Sequence, residues 1–144
     1  MDFNILQLRE IPFVINNNAT IDAGTLSKVK VTFVIMLQHQ RDNNAVCLHT
    51  ALRYLSENNE ELMHGGASIV AHLPGWQAVC QSEEAIRQSD EVEQLINYAS
   101  AFVSGQFFHF AANTSLSSVF VPWIPAKKLI NNMIIEAFDP MKEQ

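Results

Sequence analysis

From Lys28 to Gln38 the chain alternates with period two. Val29, Val31, Phe33, Ile35 and Leu37 fall on one side, and Lys28, Lys30, Thr32, Val34, Met36 and Gln38 on the other. This is the pattern of a β-strand whose second face is itself half apolar. Residues 40–44, Gln-Arg-Asp-Asn-Asn, read as a turn, because Asp and Asn tolerate the conformations that reverse a chain. A hairpin partner follows over Ala45–Leu55, with Val46, Leu48, Thr50, Leu52 and Tyr54 on one face and His49 and Arg53 on the other. A second turn over 56–60 leads to a strand from Leu62 to Leu73, ended by Pro74-Gly75. Inside that strand Gly65-Gly66 predicts a bulge or a close backbone approach. The opening segment Phe3–Ile15 is also a strand, its apolar phase broken around Gln7–Glu10, and Pro12 calls for an edge or a bulge because it cannot donate a ladder hydrogen bond.

After the strands the period changes. Ser89 and Asp90 are good N-caps, Glu91 and Glu93 place negative charge in a first helical turn, and Val92, Leu95, Ile96, Ala99, Phe102, Val103, Phe107 and Phe110 share one helical face. Gly105 within this helix costs about 1 kcal/mol against alanine, so a close contact or a bend is expected there. Asn113-Thr114-Ser115 ends it, residues 117–125 are extended, and Pro125 opens a last helix with Leu129, Ile130, Met133, Ile134 and Phe138 as its stripe. Four strands followed by two helices predict an α+β fold: one four-stranded antiparallel sheet with a long helix and a C-terminal helix packed on one face. No linker or repeat divides the chain, so residues 1–144 are read as one domain.

Composition narrows the function classes. Nine Lys and Arg against fifteen Asp and Glu, with no basic cluster, argue against nucleic acid, whose binding depends on grouped cations. Twelve Asn and nine Gln supply polarity without charge, which suits oligomerisation. The N-terminus lacks the pattern of a signal peptide and no apolar run approaches the roughly 20 residues of a membrane helix, so a cytoplasmic protein without membrane insertion is expected. Cys47 and Cys80 form no Cys-x-x-Cys and are read as thiols.

Catalytic signatures are missing: no phosphate-binding glycine loop, no His-Glu-x-x-His and no nucleophile elbow. The histidines, at 39, 49, 64, 72 and 109, lack metal-ligand spacing. A site built from His49 and a neighbour on an adjacent strand stays open. These observations predict neither an enzyme nor a cofactor. Eight of the fifteen acidic residues lie between 57 and 93, where Arg87 is the only basic residue. Glu57, Glu60, Glu61, Glu83 and Glu84 are a candidate acidic docking surface for a basic partner, set against solvated turns and a helix N-terminus. Apolar residues are in surplus: Phe3, Leu6, Leu8, Val34, Met36 and Val70 fall on faces or segments that two helices over one sheet face are not expected to reach, Phe108 lies off the main helical stripe, and Trp76 and Trp123 sit beside prolines in connecting segments. Collectively they predict a subunit interface or an apolar groove.

The order of elements and several short motifs resemble the SecB protein-export chaperones. Residues 8–16, Leu-Arg-Glu-Ile-Pro-Phe-Val-Ile-Asn, are similar to that family's first-strand signature at Arg9, Glu10, Ile11 and Phe13, and depart from it at Val14 and Asn16, where the family has Glu and Pro. Residues 64–70, His-Gly-Gly-Ala-Ser-Ile-Val, resemble its Gln-Gly-Gly-x-Phe-Ser-Ile segment, and residues 119–122, Val-Phe-Val-Pro, its stretch before the last helix. The main helix lacks the usual Pro-Tyr-Ala-Arg. The resemblance implies a dimer of dimers with paired sheets, apolar grooves that hold unfolded preproteins, and delivery to the SecA motor ATPase.

The leading expectation is therefore an ATP-independent holdase. It would bind non-native polypeptide through Ile11, Phe13, Phe33, Ile35, Leu37, Trp76, Phe120, Trp123 and Ile124. A dedicated adaptor for one toxin or secreted protein, and a small-ligand-binding α+β domain with its pocket between sheet and helices, are the alternatives.

Overall fold

The structure is a computed structural model that describes residues 3–16, 18, 19, 21, 22, 24, 27–40, 44–112, 114 and 124–137. Its elements in chain order are β1 (Asn4–Ile15), β2 (Lys30–His39), β3 (Ala45–Leu55), β4 (Glu61–His72), α1 (Trp76–Val79), α2 (Glu83–Arg87), α3 (Asp90–Ala111), α4 (Ala126–Asn131) and β5 (Ile134–Ala137). The five strands form one sheet in the order β1-β4-β3-β2-β5. β2, β3 and β4 are antiparallel neighbours in chain order, whereas β1 pairs with β4 on the far side, two strands away from β2.

The four expected strands are present, and the sheet has a fifth. The stripe from Leu129 to Phe138, read as one helix, breaks after Asn131, and Ile134–Ala137 runs parallel to β2 instead, pairing Met36 with Ile134 and Leu37 with Ile135. Phe138 itself lies outside the described residues. The edge of β2 offers unpaired backbone groups, and two consecutive isoleucines favour an extended chain there.

β1 explains its own disturbed pattern. One extra residue is inserted between Ile5 and Gln7 and another between Ile11 and Val14, so the strand bulges twice along its length. Pro12 sits in the second bulge, on an edge strand. The glycines of β4 serve close approach: a Cβ on Gly65 would lie 2.8 Å from Phe13 Cα and inside its ring, and one on Gly66 would strike the Thr50 carbonyl. β4 bulges too, but at Leu62, between the pairs Tyr54–Met63 and Leu55–Glu61.

The helices cover one face. Ser89 Oγ accepts from Val92 N at 3.3 Å and starts α3, which buries Val92, Leu95, Ile96, Ala99, Val103, Phe107 and Ala111. Its first half packs with Ile35, Leu37, Val46, Leu48, Ile69 and Ala71. Its second half packs with Phe13, Leu52, Tyr54, Leu62, Met63 and Ala67. In this second cluster Phe107 lies between Tyr54, stacked at 4.8 Å between ring centroids, and Phe13, edge-on at 5.8 Å. Arg87 at the end of α2 donates to the carbonyls of Ile130 and, at 2.8 Å, Met133, capping the C-terminal end of α4 and tying it to α2. Among the described residues no helix is long and apolar enough to cross a membrane.

Candidate functional site

Four of the nine residues expected to form an apolar groove are core. Ile35, Leu37 and Trp76 are at most 2% exposed and Phe13 is 8% exposed, all on the helix side. The physical reason is that the more apolar face of β2 is the one α3 and α4 cover. Phe33 and Ile124 are half-buried against the core, and Phe120 and Trp123 lie outside the described residues. Of the expected residues, Ile11 alone is both described and exposed.

The acidic candidates are not brought together either. Glu57, Glu60 and Glu61 belong to the β3–β4 turn, beside the C-terminal half of α3, while Glu83 and Glu84 open α2 just before its N-terminus. A 22-residue helix separates the two groups, roughly 33 Å at 1.5 Å per residue. Glu57 pairs with Lys28 at 3.5 Å and Glu61 with Arg53 at 3.1 Å, so the turn is not a bare anionic patch.

The face of the sheet turned away from the helices carries Val34, Met36 and Val70 of the apolar surplus, whereas Phe3 and Leu8, expected beyond the helices' reach, pack against the core and Phe108 stands on α3. Strand register arranges its side chains in rows across the strands, because directly paired residues point to the same side. One row is Ile11, Gly66, Ala51 and Val34 from β1, β4, β3 and β2. Beside it runs Arg9, Ser68, His49, Met36 and Ile134, and beyond that Gln7, Val70, Cys47, Gln38 and Glu136. On the other side lie Val14, His64, Arg53 and Thr32. Val14 is 50% exposed, Ile134 53%, and Ile11 and Val34 37% each. Glycine and alanine at the middle of the first row keep it low between the two branched side chains, and the row holds no charge.

The centre of this face is polar. His49 Nδ1 lies 2.7 Å from Ser68 Oγ, and its Nε2 lies 2.9 Å from Gln38 Oε1 and 3.4 Å from Cys47 Sγ. Burial pushes the Cys47 thiol above its ordinary value, holding it protonated at neutral pH. His64 and His72 share the face but stand in other rows, and His109 is on the exposed side of α3. Among the described residues no three His, Cys, Asp or Glu side chains gather as a metal cluster.

β1 borders the sheet, with Leu6 62% exposed on it. Val34, Met36 and Val70 stand out individually in the sequence, but their assembly with Ile11, Val14 and Ile134 depends on a strand order that no local pattern encodes. No protein-family model matches this chain, and no curated protein matches it.

Proposed function

We propose that this chain is an ATP-independent chaperone of the SecB type, which holds unfolded polypeptides in the cytoplasm before export. The observation that carries the reading is the uncharged row Ile11–Gly66–Ala51–Val34, flanked by Val14, Met36 and Ile134 on the sheet face the helices leave uncovered. A holdase needs apolar area that accepts many sequences, and a low trough walled by branched side chains offers it without a reaction centre. The outer backbone edge of β1, which no strand among the described residues pairs, adds a place where an extended client can pair as a further strand. The order of four antiparallel strands and then a long helix agrees with the SecB resemblance, and β5 is an addition to it.

The test is suppression of aggregation. An unfolded client diluted from denaturant should stay in solution in the presence of a few-fold excess of the chain, without nucleotide. The double substitution Ile11→Lys with Val34→Lys should abolish that protection while leaving the circular dichroism spectrum and urea midpoint nearly unchanged, because both residues lie outside the core. Aggregation at the same rate with and without several-fold wild-type chain would sink the proposal.

A further inference from the structure

We infer that a second copy of this chain packs face to face over the sheet face that the helices leave open, about a two-fold axis running along the strands. The rows on that face place one charge at each side. Arg9 stands on β1 and Glu136 on β5, in neighbouring rows, and both are exposed. Neither has a hydrogen-bond or ion-pair partner among the described residues. Four strand spacings of about 4.8 Å hold them roughly 19 Å apart, too far to meet within one chain. In those two rows no acidic residue, lysine or arginine stands between them. Arg53, the other arginine of the four rows, is already paired with Glu61 at 3.1 Å.

A two-fold axis along the strands and through β3 lays β1 of each copy over β5 of the other and keeps each row over its own counterpart. Arg9 of each chain then stands beside Glu136 of the partner subunit, one row away, so a single operation makes two ion pairs, as an isologous interface requires. Strand-aligned stacking about 10 Å apart is also the ordinary way two apolar sheet faces pack. Gly66, Ala51 and Ser68 keep the middle of the face low enough for that approach, and the exposed Ile11, Val34 and Ile134 supply apolar area. With strands about 4.8 Å apart and same-face residues about 6.8 Å apart, each position takes about 33 Å², and the four rows present roughly 600 Å² per copy. Two copies then bury about 1,200 Å², the lower end of a specific interface, which suits a dimer that forms at micromolar concentration and still parts. The consequence for clients rests on the chaperone reading of this same face: a client must displace the second copy, so dissociation of the dimer controls holding.

Sedimentation equilibrium of the full chain without client, at low and high salt, tests the pairing apart from holding activity. The wild type should be a dimer at micromolar concentration and weaken as salt rises. Arg9→Glu or Glu136→Arg alone sets like charges together twice and should raise the dimer Kd at least about tenfold, with the circular dichroism spectrum unchanged because both residues are exposed. An equimolar mixture of R9E and E136R chains regains both opposite-charge pairs and should dimerise about as tightly as the wild type. A monomeric wild type overturns the inference, and so does a mixture that fails to regain the affinity its components lost. A dimer indifferent to E136R overturns it too: that result points to pairing along the β1 edge, on the opposite side of the sheet from β5, and leaves the chaperone reading standing. Loss of aggregation suppression by a chain that still forms the charge-matched dimer would sink the chaperone reading alone. Should either reversal fail to fold, Arg9→Gln and Glu136→Gln decide: a weaker dimer in both supports the pairing, and an unchanged Kd in either overturns it.

Discussion

At the scale of single residues, the least comfortable groups cluster where β2 ends. His39 is 9% exposed, its ring edge-on to Trp76 at 5.4 Å, and its Nδ1 has no hydrogen-bond partner among the described residues. Trp76 is wholly buried with its indole N–H likewise unpaired. Desolvation lowers the His39 pKa below the ordinary 6.5, because burial disfavours the imidazolium. The unfolded chain therefore binds the proton more readily than the folded one. The stability contributed by a neutral His39 is complete above about pH 6.5 and is lost as pH falls through the lower folded value. Urea midpoints measured from pH 7.5 to pH 5 should drop more steeply for the wild type than for His39→Gln, and parallel slopes would refute the assignment. Cys47 was legible in the sequence only as an unpaired thiol; its convergence with His49 and Gln38 needs β2 and β3 in register.

At the scale of elements, α3 was the most legible and still held a surprise. Its cap at Ser89, its acidic first turn and its apolar stripe were all readable because they follow from local geometry. Gly105 promised a close contact or a bend, yet a Cβ there would meet nothing within 4 Å. No close contact within the described chain requires that glycine. Gly105→Ala should therefore raise the unfolding free energy by about 1 kcal/mol, measured as a higher urea midpoint with an unchanged slope. A loss of stability would show that the helix bends or packs closely at this position after all. Tyr98 and Phe108, 44% and 52% exposed, lie on the solvent side of the same helix. The last element failed differently. Apolar spacing from Leu129 to Phe138 fits a helix on periodicity alone, but β2 had an open edge, and pairing there outweighed continuation of α4.

At the scale of the whole molecule, the sheet has an edge at β1 and a face that no helix among the described residues covers, and apolar side chains lie on both. Association of copies would cover part of that area, so light scattering coupled to size exclusion should give about two or four times 16.2 kDa. A mass of one chain at micromolar concentration would count against both the oligomer and the SecB-type reading. The sequence by itself determined the four long strands, the main helix, the α+β class and the residue types in surplus, because period-two and period-3.6 patterns, caps and turn residues are local. It located Pro12 and Gly65-Gly66 as irregularities for the same reason. Only the tertiary structure decided which face of β2 is core, that β1 joins β4, that Ile134–Ala137 becomes a strand, and that Glu57 and Glu83 stand at opposite ends of α3. Alternation shows that a strand has two faces but not which one the helices cover. That choice belongs to contacts between residues far apart in the chain, and it moved the candidate surface from Phe33, Ile35 and Leu37 to Val34, Met36 and their neighbours across the sheet.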